Sequence, residues 1–205
     1  MDIAFKQSQR LTIVGASGFG KTETAIEYAH RHASNTEIAK EYDCTWLVNA
    51  QSALELEKSY RDFAFRIKMP NAGADDFSLV IRDVKLWLLE NGEYLFIFDN
   101  TEGLSENLLE FLPEGQLLGH IIFTTWDEKC VIGKRIDLGV FLPEESSDFL
   151  KARCKDSKHR ISDDEARELG SLLGNLPLAL EHAAAYILAA EMECTSYIAK
   201  LKNTV

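Results

Sequence analysis

The chain has 205 residues, of which 46% are hydrophobic and 27% are charged, as in folded globular domains with a sizeable core. The formal net charge is −11, from 22 basic and 33 acidic side chains, and no basic patch is evident, so no nucleic-acid partner is expected. No apolar run approaches the ~20 residues that a membrane-spanning helix needs, so no membrane partner is expected either. The N-terminus lacks the layout of a signal peptide, and the cysteines lie far apart without a C-x-x-C pair. These features favour reduced thiols, no zinc site and a cytoplasmic location.

Short apolar runs that alternate with helical patterns predict a parallel β-sheet covered by helices on both faces. Apolar residues recur at three- and four-residue steps in one stretch after the first run and in two stretches between the second and third runs. Each of these stretches predicts an amphipathic helix. Gly92 is expected to end the last of these helices as its C-terminal cap. The predicted strands are 11–14, 44–50, 94–100, 120–125 and 135–141.

After residue 141 the pattern changes to helices alone. Pro143 and Pro177 each fit the first turn of a helix. The sequence S-D-D-E at 162–165 fits a capping box in front of another helix, which Gly174 can close. We therefore expect an α/β domain over residues 1–141, followed by a small all-helical subdomain over residues 142–205.

The stretch G-A-S-G-F-G-K-T follows the first predicted strand and matches the phosphate-binding pattern G-x-x-x-x-G-K-[ST]. Glycines let the backbone wrap around phosphate oxygens, and the helix that follows adds its positive end. Lys21 is expected to reach the β- and γ-phosphates, and the hydroxyl of Thr22 to bind Mg²⁺. The pattern predicts a P-loop NTPase domain that binds a nucleotide. The residues assigned to the nucleotide here are Gly15, Gly18, Phe19, Gly20, Lys21, Thr22 and Glu23.

The second half of such a site is a carboxylate at the end of a neighbouring strand. Asp99 follows five apolar residues and is assigned, with Thr22, to Mg²⁺. The next residue is Asn100, where many strand-borne ATPases have a second acid, and an amide cannot accept a proton from water at neutral pH. Glu102 is the alternative base. Asp99, Asn100 and Glu102 are thus the candidate catalytic residues, and fast hydrolysis is not expected.

Thr124 and Thr125 end the fourth predicted strand, which a sheet of this kind places beside the γ-phosphate. A hydroxyl at this position could sense whether that phosphate is present, and Thr125 is assigned to the nucleotide. A structural role is equally consistent, because β-branched residues are favoured in any strand.

These motifs together carry a resemblance to a known family. The stretches G-A-S-G-F-G-K-T-E-T-A, L-F-I-F-D-N-T-E-G, G-H-I-I-F-T-T-W and L-L-G-N-L-P-L-A-L-E-H-A-A-A-Y-I resemble the nucleotide-binding module of NB-ARC proteins, in the STAND class of P-loop ATPases. The similarity extends from residue 11 to about residue 201, with the motifs in the same order. It implies that Gly18, Gly20, Lys21 and Thr22 bind phosphate and Mg²⁺, that Asp99 binds Mg²⁺, and that Pro177 of the G-L-P-L motif lies against adenine.

The function implied by this resemblance is a molecular switch. Family members hold ADP in a closed form, exchange it for ATP, and then open and oligomerise through attached domains in immune, cell-death or antiviral signalling. The resemblance therefore implies ADP/ATP and Mg²⁺ as cofactors, other domains of a larger receptor as partners, and a nucleotide-dependent homo-oligomer.

The sequence departs from the family pattern at Trp126, where an arginine usually contacts the γ-phosphate; an indole offers one N–H and no charge. The family's segment before the first strand and its winged-helix unit are not found, so a fragment of a larger receptor is expected, with a naturally short protein as the alternative. Two functions stay open, a switch with slow hydrolysis and an active ATPase with Glu102 as base. A scaffold that no longer binds nucleotide would require a damaged loop, and the loop is intact.

Overall fold

The computed structural model describes residues 1–33, 42–104, 107–155 and 158–204. The chain divides into two compact units. The first comprises Met1–Gly15 and Lys21–Leu138, and the second comprises Ala16–Gly20 and Gly139–Val205. The middle of the phosphate-binding stretch thus groups with the C-terminal helices.

The first unit is built on a parallel sheet with the strand order β2-β3-β4-β1-β5. Within the described residues the strands are β1 (Arg10–Val14), β2 (Cys44–Asn49), β3 (Tyr94–Asp99), β4 (His120–Thr125) and β5 (Lys134–Asp137). The helices of this unit are α1 (Asp2–Phe5), α2 (Lys21–Arg31), α3 (Ala53–Arg66), α4 (Phe77–Glu90) and α5 (Leu108–Phe111), with a 3₁₀ turn over Thr101–Leu104. The predicted α/β class with a parallel sheet is confirmed.

Helices cover both faces of this sheet, which explains why its central strands are apolar throughout. Successive side chains of a strand point to opposite faces. Phe96 and Phe98 of β3 pack with α3 and α4, where Phe63 lies edge-on to Phe96 at a ring distance of 4.8 Å. Leu95 and Ile97 pack on the other face with α1 and α2.

The prediction for the fifth strand is wrong at its end, because β5 stops at Asp137 and not at residue 141. β5 pairs only with β1, and β1 ends at Val14, which lies opposite Asp137. The N–H of Leu138 donates to the Val14 carbonyl over 2.8 Å, and β1 offers no further partner. The end of an edge strand is thus set by its neighbour.

The expected cap at Gly92 is also wrong. Helix α4 ends at Glu90, and Asn91 after it is already extended, with φ −107° and ψ 147°. The side-chain amide of Asn91 donates to the Trp87 carbonyl over 2.9 Å, so a side chain satisfies the end of the helix and no left-handed glycine is needed.

The second unit contains α6 (Pro143–Arg153), α7 (Asp163–Leu172), α8 (Pro177–Ala189) and α9 (Cys194–Thr204). These helices share a core that includes Leu150, Leu169, Leu180 and Ile187. Both prolines occupy the first turns of their helices as predicted. The capping box is confirmed as well, since Ser162 and Glu165 each bind the other's backbone N–H. No helix in the described part of the chain is long and apolar enough to cross a membrane.

Gly174 closes α7 as predicted, through a left-handed turn. Its φ is +62° and its N–H donates to the Ser171 carbonyl over 3.1 Å, while the N–H of Asn175 donates to the Gly170 carbonyl over 2.8 Å. This pair of bonds is the Schellman arrangement, which satisfies the last carbonyls of a helix. The turn leads directly into the segment before α8.

Candidate nucleotide-binding site

The phosphate-binding stretch lies between β1 and α2, which is the context that the motif requires. Gly18 and Gly20 have φ values of +82° and +86°, in the left-handed region that glycine adopts without strain. The N–H of Gly15 donates to the Thr125 carbonyl over 3.2 Å and fixes the start of the loop at the end of β4. Helix α2 begins at Lys21, so its N-terminus stands at the end of the loop, where a helix stabilises bound phosphate.

The assigned residues of this stretch differ in exposure. Lys21 is buried, with 9% of its surface exposed. Phe19 is half-buried, and Glu23 is exposed on the first turn of α2. The Glu23 side chain therefore faces solvent in this structure.

Three donors converge on the carboxylate of Asp99. The Thr22 hydroxyl donates to Oδ1 over 2.6 Å, and the Thr124 hydroxyl donates to the same oxygen over 2.5 Å. The amide of Asn100 donates to Oδ2 over 3.2 Å. The Asp99 carboxylate is therefore held by side chains of β4, of the residue that follows β3 and of the phosphate-binding stretch.

The sheet topology explains this convergence. β4 lies between β3 and β1, and Phe98 pairs with Phe123, which brings the ends of β3 and β4 level. The backbone N–H of Asn100, which has φ +62°, donates to the Thr124 hydroxyl over 3.0 Å. That hydroxyl accepts from Asn100 and donates to Asp99, so its orientation is fixed by two bonds.

Asp99 and Thr22 fit the magnesium role that the sequence assigns to them. Their side chains touch, and both offer oxygen, the element that Mg²⁺ prefers as a ligand. Among the described residues there is no group of three or more histidine, cysteine or acidic side chains that could hold a metal ion. A Mg²⁺ ion at Asp99 would therefore take its remaining ligands from phosphate and water, as Mg²⁺ in nucleotide sites commonly does.

The structure brings Thr124 rather than Thr125 to Asp99. Both threonines are fully buried, but they are successive strand residues and their side chains point to opposite faces. The Thr125 hydroxyl accepts the N–H of Asp127 over 3.0 Å and so stabilises the turn after β4. Because both residues are threonine, the sequence alone does not indicate which of them contacts Asp99.

Thr124→Val is expected to raise the Mg²⁺ concentration needed for half-maximal nucleotide binding by about fivefold or more, because Asp99 loses a donor and the Asn100 N–H loses its acceptor. Thr125→Val serves as the matched control and should change this concentration less than twofold. Titration of Mg²⁺ at fixed ATP measures both. A larger effect from Thr125→Val would transfer the role to that residue.

Glu102 does not share the hydrogen bonds that join Asp99 to its neighbours. Within the described residues its carboxylate makes no hydrogen bond to Asp99 or Asn100, and its Oε2 is buried without a partner. The turn that carries it is anchored, because Thr101 donates to the Thr124 carbonyl over 3.2 Å and the Cys130 thiol donates to the Thr101 carbonyl over 3.7 Å. Burial raises the pKa of that thiol, so it acts as a neutral donor. Of the three candidate catalytic residues, Asp99 and Asn100 are joined by a hydrogen bond.

Pro177 lies in the second unit beside the middle of the loop. It is the first residue of α8 and is buried. The next residue, Leu178, donates its N–H to the Gly18 carbonyl over 3.1 Å. In the first unit Trp126 follows β4 and is 59% exposed, so its indole is not part of the core.

Comparisons with known proteins relate the chain to nucleotide-binding proteins. No protein-family profile matches it. A nucleotide-binding leucine-rich repeat (NLR)-like protein of Hyaloscypha variabilis is 25% identical over 215 residues, which cover 94% of this chain and 21% of that protein. The chain thus spans about a fifth of the length of that relative.

Several solved structures are similar to the chain. A Walker-type ATPase of Pyrococcus abyssi has a TM-score of 0.67 at 15% identity, covering 99% of this chain and 69% of that one. Domain III of the replication initiation protein DnaA of Thermotoga maritima has a TM-score of 0.62 at 11% identity, covering 96% and 85%. The Thermotoga maritima RuvB Holliday junction branch migration motor has a TM-score of 0.58 at 10% identity, covering 99% and 66%.

These likenesses confirm the P-loop NTPase fold predicted from the sequence. At such identities the structural neighbours show the fold alone. The resemblance to the nucleotide-binding module of NB-ARC and STAND proteins is also confirmed, because the NLR-like relative matches over most of the chain and the neighbours include a Walker-type ATPase.

Proposed function

We propose that this chain is the ADP/ATP-binding switch module of a signalling receptor, with hydrolysis slow enough for the bound nucleotide to mark a state. The observation that carries the proposal is the arrangement at Asp99, where the neighbouring amide of Asn100 is bonded to the carboxylate. This arrangement supports a metal site and leaves the adjacent position without a proton acceptor.

The binding half of the proposal assigns a role to each group. Lys21 holds the β- and γ-phosphates, and the backbone of the stretch from Gly15 to Gly20 surrounds the phosphate chain. Thr22 and Asp99 hold Mg²⁺, which neutralises charge on the phosphate oxygens when it is bound. The P-loop fold and the buried position of Lys21 support these roles.

The proposal that ATP hydrolysis is slow rests on Asn100. An amide next to Asp99 can bind a water molecule but cannot remove its proton at neutral pH. In this structure the amide donates to Asp99, so its contribution is to hold the carboxylate in place. Trp126 adds no positive charge at the end of β4, where a cation would favour cleavage of the γ-phosphate.

The remaining parts of the proposal follow from the resemblance and from the relative. Pro177 contacts adenine. Further domains carry the signal through nucleotide-dependent homo-oligomers, and the much greater length of the NLR-like relative supports the presence of such domains. The output is immune, cell-death or antiviral signalling. Four free cysteines fit a reducing cytoplasm.

An active ATPase is the second candidate, and the buried, unpartnered Oε2 of Glu102 favours it. Steady-state ATP turnover separates the two candidates. A switch predicts turnover far below ~1 per second, unchanged by Glu102→Gln and by Glu110→Gln, an exposed control on α5. The switch proposal would be overturned if the parent chain turned over several ATP per second and if Glu102→Gln, but not Glu110→Gln, abolished this activity. That result would establish Glu102 as the base.

A further inference from the structure

The middle of the phosphate-binding stretch is attached to the helical unit. Residues Ala16–Gly20 group with Gly139–Val205, and the link to α8 is a backbone hydrogen bond from the Leu178 N–H to the Gly18 carbonyl over 3.1 Å. A backbone group of one helix thus holds the loop that the proposed function assigns to phosphate.

Helix α8 needs an acceptor at this position. Its N-cap residue is Leu176, whose side chain has no oxygen to accept a hydrogen bond, and no side-chain cap is present. Pro177 has no N–H, so Leu178 carries the first N–H of the helix, a group that has no acceptor within the helix itself. The Gly18 carbonyl takes the place of a capping side chain.

Gly18 is suited to this contact by its lack of a side chain. A Cβ atom on Gly18 would lie 3.1 Å from the Leu178 Cβ and 3.6 Å from the Leu176 Cδ1, and the φ of +82° already disfavours other residues. The phosphate-binding pattern requires glycine only at its first and sixth positions, which are Gly15 and Gly20 here. The glycine at position 18 therefore fits the approach of α8 as well as the conformation of the loop.

We infer that the Leu178 N–H is a positioning group for the nucleotide phosphates. By fixing the Gly18 carbonyl, it holds the loop backbone in the conformation that binds the phosphates. The inference rests on the proposed binding of nucleotide at this loop. Because coupling between two equilibria is reciprocal, a nucleotide that orders the loop also strengthens the cap on α8. The nucleotide state is thereby transmitted to α8 through this backbone bond.

Two substitutions at one position separate the N–H from the side chain. Leu178→Pro removes the N–H at a position in the first turn where proline is tolerated, whereas Leu178→Ala keeps it and shortens only a half-exposed side chain. Leu178→Pro is expected to bind MgADP about three- to tenfold more weakly than Leu178→Ala, as measured by calorimetric titration. Equal affinities in two folded variants would overturn the inference.

Amide exchange on the unmodified chain gives a second test that does not depend on how Leu178→Pro folds. MgADP is expected to slow exchange of the Leu178 amide about threefold or more, by NMR, while the Glu165 amide in the capping box of α7 stays unchanged. Leu178 exchange that is unaffected by bound ADP would overturn the inference and leave the proposed function standing. Failure of the parent chain to bind ADP would overturn both.

Discussion

Lys21→Ala is expected to weaken the binding of ADP by about 10- to 150-fold. A hydrogen bond between a charged ammonium and phosphate contributes roughly 1.5–3 kcal/mol, and the burial of Lys21 reduces competition from water. Calorimetric titration with MgADP at constant ionic strength measures the change. Thermal unfolding of both proteins without nucleotide shows whether the substitution acts on the site or on the fold.

The matched control is Lys58→Ala on α3, where an exposed lysine pairs with Glu55. Both substitutions remove one positive charge from an already acidic chain, so a long-range effect of charge would appear in both. The control should bind ADP as the parent does. Unchanged ADP affinity in a folded Lys21→Ala protein would show that this loop does not bind the nucleotide.

Asp99→Asn is expected to raise strongly the Mg²⁺ concentration that nucleotide binding needs. Asp99 is the acceptor for Thr22, Thr124 and Asn100, and neutralising it removes the charge that would attract the cation. Loss of a metal ligand should lower the affinity for Mg²⁺ by at least about 10- to 100-fold, the range measured when residues that only support a ligand are changed.

Titration of Mg²⁺ into ATP-loaded protein, with chelator as the starting point, measures this effect. Asp62→Asn on α3 removes an exposed carboxylate and should leave the titration unchanged. The Asp99 variant should need at least about 10-fold more Mg²⁺ than the parent for half-maximal ATP binding. A variant that keeps the parent's Mg²⁺ dependence would place the metal away from β3.

The sheet could be predicted from the sequence because burial on both faces leaves long apolar runs. β2, β3 and β4 begin where the pattern predicts. The end of β5 could not be predicted, because Leu138 and the residues after it remain apolar while the partner strand has already stopped at Val14. Strand ends depend on pairing, which a local pattern does not contain.

The contact within the candidate site that could be predicted from the sequence is the one between residues of distinctive side-chain chemistry. Lys21, Thr22 and Asp99 stand out by type and position, and the structure brings Thr22 and Asp99 together. Which of Thr124 and Thr125 contacts Asp99 depends on the face of β4 that each occupies, and two identical neighbouring residues do not indicate this. The hydrogen bond from the Leu178 N–H to the Gly18 carbonyl joins backbone atoms of residues far apart in the chain, so a local sequence pattern does not predict it.

The central claim is that this chain holds an adenine nucleotide at the loop from Gly15 to Thr22. The most direct test is to denature the freshly purified chain and identify the released nucleotide by chromatography, with Lys21→Ala prepared in parallel. The account predicts ADP in stoichiometric amount from the parent chain and little from the variant. Absence of adenine nucleotide from the parent, or equal amounts from both, would contradict it.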